Sequence, residues 1–176
     1  MPALKGAKKS VIHYRSTESE IGNIFIASTY RGIARIALDC KSKEDFLKSV
    51  RMDFCGFEYE EGGRITLDAA RQIKEYFKGR RKKFDLPLDI IATPFAKKVY
   101  RATGRIAYGK TKSYGEIAKE VGSPGGARAV GSALKRNPVP LIVPCHRVIG
   151  AKGDLVGFAG GLKLKRRLLQ LEADNS

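Results

Sequence analysis

The chain has 176 residues, 43% of them hydrophobic, enough to bury a core as one ordinary domain or two small ones. Lys and Arg outnumber Asp and Glu by 34 to 18, a formal charge of +16, which points to a polyanion, most often nucleic acid, as partner. No apolar run approaches the ~20 residues of a membrane span, and three cysteines without C-x-x-C spacing argue against a disulfide framework or a cysteine-rich zinc site.

Met1 to Lys9 is basic but lacks an apolar signal core, so a short disordered arm is expected there. Val11 to Tyr14, Gly22 to Ser28 and Gly32 to Leu38 read as strands, with Ile24, Ile26, Ile33 and Ile36 as their β-branched content. Lys43 to Phe54 has helical spacing at Phe46, Leu47, Val50 and Phe54. Thr66 is expected to cap a second helix running to Phe77, with Asp68 in its first turn and Gly79 just past its end. Arg80-Arg81-Lys82-Lys83 reads as a solvated basic run. Residues 1–82 thus form an α/β N-terminal domain, 83–92 a linker and 93–176 a mainly helical domain. The N-terminal domain shows no legible chemistry, and His13 reads as structural. Cys40, Cys55 and His13 have no metal-ligand spacing, so no zinc is expected.

Thr93-Pro94 opens a helix, with a capping threonine and proline at the first helical position. That helix is expected to carry Phe95, Val99, Ile106 and Tyr108 and to end at Gly109. Ser113-Tyr114-Gly115-Glu116 fits a capping box for a helix through Ile117, Ala118 and Val121. After the turn at Ser123-Pro124-Gly125-Gly126, Ala127 to Arg136 forms another helix. Two short helices around a glycine-containing turn make a helix-turn-helix layout. Leu155 to Gly161 is a glycine-rich loop. Leu162 to Ala173 is an amphipathic helix, with Leu164, Leu168, Leu169 and Leu171 inward and Lys163, Lys165, Arg166 and Arg167 outward.

Asn137 to Val148 carries three prolines around an apolar run that ends in Cys145-His146. Proline fixes φ and biases its predecessor toward extended geometry, so a stiff, extended, mostly buried strand or loop is expected to deliver one thiol to one place. Composition alone allows Cys145 to be a small buried hydrophobe. A thiolate is the nucleophile, so an attacking cysteine needs a base or a positive environment. Neighbouring residues of an ideal strand point to opposite faces, so spacing alone does not put His146 against Cys145.

Pro144-Cys145-His146-Arg147-Val148 resembles the active-site signature of the O6-alkylguanine-DNA alkyltransferases. Ala127 to Gly131, Gly157 to Gly161 and Leu168 to Glu172 extend the resemblance. It is motif-grade from Thr93 to Glu172 and one of layout only before Thr93. It implies a relay of Cys145, a water, His146 and Glu172, with Asn137 as the hinge between recognition helix and active-site segment. Arg128 resembles the finger that replaces an extruded base, since guanine O6 lies within the stack and must be flipped out. Ala127, Ala129, Gly131 and Ser132 would slim the recognition helix for the minor groove, with Lys135 and Arg136 near phosphates. Tyr114 resembles the residue that rotates the nucleotide, and it shares the implied pocket with Leu134, Val148, Phe158, Ala159 and Gly160. Some relatives carry Tyr and Ser at the lid; Phe158 and Ala159 leave this pocket without those hydroxyls.

The expected fold is α/β: a small sheet-plus-helix domain, then a helical domain with a winged-helix-like helix-turn-helix. The expected function is direct, cofactor-free, single-turnover transfer of the alkyl group from O6-alkylguanine in double-stranded DNA to Cys145, with O4-alkylthymine as a further substrate left open. The protein is expected to be an intracellular monomer with no membrane partner. The alternatives are a lesion-binding sensor, whose known examples replace the cysteine, and a methylation-switched DNA-binding regulator, which carries an extra cysteine-rich domain.

Overall fold

The computed structural model describes residues 10–176, so the expected N-terminal arm lies outside the described residues. Strand β1 (Val11–Ser19) pairs antiparallel with β2 (Gly22–Ser28), which pairs antiparallel with β3 (Ile33–Ala37). β1 runs to Ser19 rather than stopping at Tyr14, because its register with β2 continues residue by residue to the tight turn at Gly22, where φ is +99°. A fourth strand, β4 (Glu58–Glu61), lies parallel to β1 and gives the order β3-β2-β1-β4. Its sequence, Glu-Tyr-Glu-Glu, has no apolar alternation, so nothing in the residues announced it.

Side chains alternate across a strand, and β2 is buried on both faces. Ile24 and Ile26 face one core, while Phe25 and Ala27 face another. The second core is closed by α1 (Lys43–Asp53), whose Phe46 ring stacks on Phe25 at 5.4 Å. The first is closed by α2 (Arg64–Phe77) through Ile73, Tyr76 and Phe77. Thr66 does not cap α2. Gly62 and Gly63 hold left-handed φ values of +119° and +89°, and Gly63 sits at the N-cap. A Cβ on Gly63 would meet the His13 Cβ at 2.6 Å, so the close approach as well as the φ requires glycine. Thr66 lies one turn in, fully buried, with its hydroxyl on the Gly62 and Gly63 carbonyls.

Helix α3 (Pro94–Gly104) starts as expected, the Thr93 hydroxyl accepting from the Ala96 amide. It ends at Gly104, five residues before Gly109. The backbone beyond is taken by other partners: the Ile106 carbonyl accepts from Arg147, and the Gly109 amide donates to Glu172. Ser113 and Glu116 close both halves of the capping box on α4 (Tyr114–Glu120). A turn leads to α5 (Ala127–Lys135), and α4 and α5 form the helix-turn-helix pair. The chain closes with α6 (Gly161–Asp174).

The first core does not stop at the sheet. Ile24, Ile26, Ile73 and Tyr76 share one cluster with Val99, Tyr100, Leu141, Val148 and Leu168. The two halves of the chain are therefore packed on common apolar surface, whose removal from water is the main favourable term in folding. The Ile36 amide donates to the Pro138 carbonyl at 2.7 Å, so the sheet edge also holds the proline-rich segment by its backbone.

Candidate active site

The segment from Asn137 to Val148 is not one extended strand. It turns at Leu141, where φ is +74°, makes a 3-10 turn over Cys145–Arg147, and only then becomes strand β6 (Val148–Ile149). β6 lies parallel to β5 (Lys112–Ser113), which leads directly into α4. The 3-10 turn removes the alternation that would send Cys145 and His146 to opposite faces of a strand: Cys145, His146 and Arg147 are all buried.

Asn137, just past α5, fixes this turn. Its Nδ2 donates to the Val143 carbonyl at 2.8 Å and to Cys145 Sγ at 3.2 Å, and its Oδ1 accepts from the Val139 amide. Cys145 is 7% exposed. Burial pushes its thiol above the ordinary range, opposed by the Asn137 hydrogen bond and the charge of Lys165. The resting group is therefore a thiol, which needs a base to become a nucleophile.

That base has a clear candidate. His146 is fully buried and its Nε2 lies 2.8 Å from Glu172 Oε1. Burial lowers the His146 pKa, opposed chiefly by Glu172, so the ring is neutral at pH 7. The Glu172 carboxyl is held at about 2, its own burial outweighed by hydrogen bonds from His146 and Arg147 and by the Arg147 charge. An ionised carboxylate only accepts, so the His146 proton sits on Nε2. Nδ1 is left as an acceptor, and it makes no hydrogen bond among the described residues.

Glu172 gathers more partners than the sequence indicated. Arg147 reaches both of its oxygens, Nε at 2.9 Å from Oε2 and Nη2 at 2.9 Å from Oε1. The Gly109 amide donates to Oε2 at 3.0 Å, and the Tyr76 hydroxyl donates to Oε1 at 2.7 Å. Tyr76 belongs to the N-terminal half, which had offered no chemistry. Arg147 also stacks over the Tyr108 ring, 5.6 Å from its centre.

Lys165 corrects a second expectation. It is not outward but fully buried, its Nζ donating to the carbonyls of Val148 at 2.6 Å and Val156 at 2.8 Å. It lies 5.7 Å above the Tyr114 ring and puts a positive charge near Cys145. The Tyr114 hydroxyl is 3.0 and 3.2 Å from the carbonyls of Val156 and Gly157. Lys165 and Tyr114 together pin the glycine-rich loop over the site.

A cavity of about 760 Å³ opens beside Tyr114, between α5 and this loop. Its walls include Tyr114, Ala127, Arg128, Gly131, Lys135, Phe158 and Ala159. Leu134 and Val148 are buried rather than among those walls, and Gly160 is exposed outside them. Arg128, Ala129, Ser132 and Lys135 are exposed on α5, and Arg136 is exposed at its C-cap. Arg136 donates to the Ser132 hydroxyl at 3.2 Å. Gly131 faces Tyr114, its position leaving 3.7 Å between an added Cβ and the ring. Cys40 and Cys55 are free thiols, the second exposed, and Cys145 is the buried one.

Comparison with known proteins covers the same ground. Residues 94–174 match the family model of the 6-O-methylguanine DNA methyltransferase DNA-binding domain, and residues 12–90 match that of its ribonuclease-like domain. A methylated-DNA–protein-cysteine methyltransferase of Methanosarcina barkeri is 41% identical over 164 residues, covering 93% of this chain and 99% of the relative. The constitutive enzyme of that name from Bacillus subtilis is 42% identical over 161 residues, 91% of this chain and 94% of the relative. The OGT protein of Mycobacterium tuberculosis, solved in complex with DNA, superposes with a TM-score of 0.80 at 38% identity, covering 93% of this chain and 94% of that one. A buried cysteine beside a His-Glu pair, a helix-turn-helix and these matches along nearly the whole chain agree: the chain belongs to the methylated-DNA–protein-cysteine methyltransferase family.

Proposed function

We propose that Cys145 is the acceptor in this chain's reaction, the transfer of an alkyl group from O6-alkylguanine in double-stranded DNA to a protein cysteine. The observation that carries the assignment is the pairing of a buried thiol, held by Asn137, with a neutral His146 whose Nε2 is occupied by Glu172. Nδ1 takes the thiol proton through one bridging water. Sγ then attacks the alkyl carbon, the S–C bond forms as the C–O6 bond breaks, and guanine leaves with a proton returned by the relay or by Tyr114. Atoms and charge balance without a cofactor. The product is a thioether, and the relay moves only protons and gives no means to break its C–S bond, so each molecule acts once.

The DNA-binding reading follows from the charge and from the helix-turn-helix. The M. tuberculosis relative was solved with DNA, and residues 93–176 carry the corresponding elements here. Small residues Ala127, Ala129, Gly131 and Ser132 slim α5 for a minor groove. Lys135 and Arg136 approach phosphates, and Arg128 fills the gap left by the flipped nucleotide. The flipped base enters the cavity beside Tyr114, with Phe158 and Ala159 lining it and backbone groups near Cys145 and Val148 reading the guanine edge. Among the described residues no helix is long and apolar enough to cross a membrane, and we assign the protein to the cell interior, where thiols stay reduced.

The test is intact mass after incubation with an O6-methylguanine oligonucleotide. One methyl is expected per molecule, on the peptide containing Cys145, and addition stops at one equivalent. Label on Cys40 or Cys55, or continued turnover, overturns the assignment.

Arg128 has its own expected result. Flipping costs a few kcal/mol of unstacking and unpairing, and a free base carries none of that cost. Arg128→Ala should slow repair of duplex DNA by about tenfold or more while changing reaction with free O6-benzylguanine by less than about twofold, since 1.4 kcal/mol of lost flipping support is tenfold in rate. Equal loss on both substrates would assign Arg128 to the pocket rather than to the duplex.

A further inference from the structure

The N-terminal domain reaches the relay through one side chain. Tyr76, in the last turn of α2, is fully buried, and its hydroxyl donates to Glu172 Oε1 at 2.7 Å. The same hydroxyl oxygen lies 3.4 Å from His146 Nε2. Its ring is fixed on three sides, by Phe77 at 5.4 Å, Phe84 at 5.5 Å and Tyr108 at 6.0 Å. A phenol held that firmly in an apolar setting needs a hydrogen-bond partner, and here the partner is the carboxylate bonded to the His146 ring.

We infer that Tyr76 is a positioning residue for the relay, its O–H sharing Glu172 Oε1 with His146 Nε2–H so that the imidazole keeps its neutral Nε2–H form and Nδ1 is the ring nitrogen left to take the Cys145 proton. The inference deepens the proposed reaction and rests on it. It gives the sheet domain a part in the chemistry and not only in the fold.

The physical argument concerns how the negative charge of Glu172 is shared. Oε1 accepts from Tyr76, from His146 and from Arg147 Nη2, while Oε2 accepts from Arg147 Nε and the Gly109 amide. Each donor draws charge from the carboxylate and leaves less to stabilise a protonated imidazole. The charged groups acting on His146 are Glu172 and Lys165 from α6 and Arg147 from its own turn; the other titratable groups around it are its chain neighbour Cys145, Tyr76 from α2 with its hydroxyl 3.4 Å from Nε2, and Tyr108 beyond Arg147. Among these, Tyr76 is the neutral donor that competes with His146 for one oxygen. Burial already lowers the His146 pKa, and the Tyr76 hydrogen bond works in the same direction. The ring therefore stays in its basic form to lower pH than it would with Glu172 fully available.

Tyr76→Phe removes one oxygen and keeps the ring in place, so the two roles separate. A packing role leaves the His146 titration unchanged. A positioning role moves it upward, because Glu172 loses a competing donor and stabilises the imidazolium more strongly. The chain has only two histidines, His13 and His146, so ¹⁵N-edited NMR of the ring nitrogens follows His146 without ambiguity once His146→Gln has assigned it. The wild type is expected to show the Nε2–H tautomer at neutral pH. In Tyr76→Phe the His146 pKa should rise by about half a unit to one unit, the size expected for loss of one hydrogen bond in a shared network. The acid limb of the rate with free O6-benzylguanine should move upward by the same amount.

An Nδ1–H tautomer in the wild type overturns the inference. So does a His146 titration that is unmoved or lowered in Tyr76→Phe, whatever happens to the rate. The NMR readout needs no alkylation. A wild type that shows the expected titration but never alkylates Cys145 therefore refutes the proposed reaction and leaves the Tyr76 hydrogen bond standing.

Discussion

Cys145→Ser is expected to abolish alkyl transfer while leaving DNA affinity within about twofold of the wild type. The two halves of that result have separate causes. In the proposed reaction the nucleophile gives up its proton to a neutral imidazole, and a serine hydroxyl is a far weaker acid than even a buried thiol. Oxygen also lacks the intrinsic nucleophilicity of sulfur at this pH. A loss of about 10³ or more in rate, or about 4 kcal/mol of barrier, follows from that difference alone. In the proposed reading affinity depends on other residues: Arg128 and Lys135 on α5 and Arg136 at its C-cap are exposed, whereas the thiol is buried. The Asn137 amide can donate to a serine oxygen as it does to Sγ, so the turn over 145–147 keeps its hinge. Gel-shift or anisotropy titration at fixed salt reads the affinity, since phosphate contacts make it salt-dependent, and intact mass reads the transfer. Transfer to the serine variant would move the acceptor elsewhere in the chain. A collapse of affinity would mean that Cys145 helps to build the DNA-binding face.

Much of this site was legible because its signals are local. Thr93-Pro94 and Ser113 with Glu116 specify their caps within four residues, and both caps form. The run from Asn137 to Cys145 contains its own hinge and thiol, and the Asn137 side-chain bonds span only two to eight residues. What the residues did not show depends on long loops closing. Tyr76 and Glu172 are 96 residues apart, and nothing near either one points to the other. The 3-10 turn over Cys145–Arg147 was hidden for a related reason. Three prolines predict an extended segment, but the turn is set by where Asn137, Ile36 and β5 hold its ends.

Lys165 is the instructive miss, because its signal was present. Positions 165, 168 and 172 lie on one face of a 3.6-residue helix, and Leu168 and Glu172 are both fully buried. The period therefore places Lys165 inward. A lysine is almost never fully buried without partners, and its type outweighed its position. The partners turned out to be two backbone carbonyls, of Val148 and Val156, supplied by the active-site strand and the loop above it. A charged residue on the apolar face of a helix that packs near a buried cysteine is thus a sign that a polar site lies under that face.

Glu172→Gln is expected to lower the melting temperature at pH 7 by on the order of 10 °C, with a difference that shrinks as the pH falls. The carboxylate is fully buried and bonded by Arg147, His146, Tyr76 and the Gly109 amide. An amide of the same shape keeps one acceptor oxygen, but it leaves the buried Arg147 guanidinium without a counter-charge. Breaking one side of a buried ion pair costs about 3–5 kcal/mol, and for a chain of this size each kcal/mol corresponds to about 2–4 °C. The sign of the pH dependence follows from linkage. The Glu172 pKa is depressed in the folded state, from 4.5 to about 2. Its contribution is therefore fully present above pH ~4.5 and is lost as the pH falls towards 2, an amount of about 3 kcal/mol. Below that window both proteins carry a neutral group at position 172, and their stabilities should converge. Melting curves of the two proteins at pH 7, 5 and 3 test this directly. A constant difference across the three would mean that Glu172 acts by shape and packing rather than by charge, and its part in setting the His146 tautomer would have to be given up.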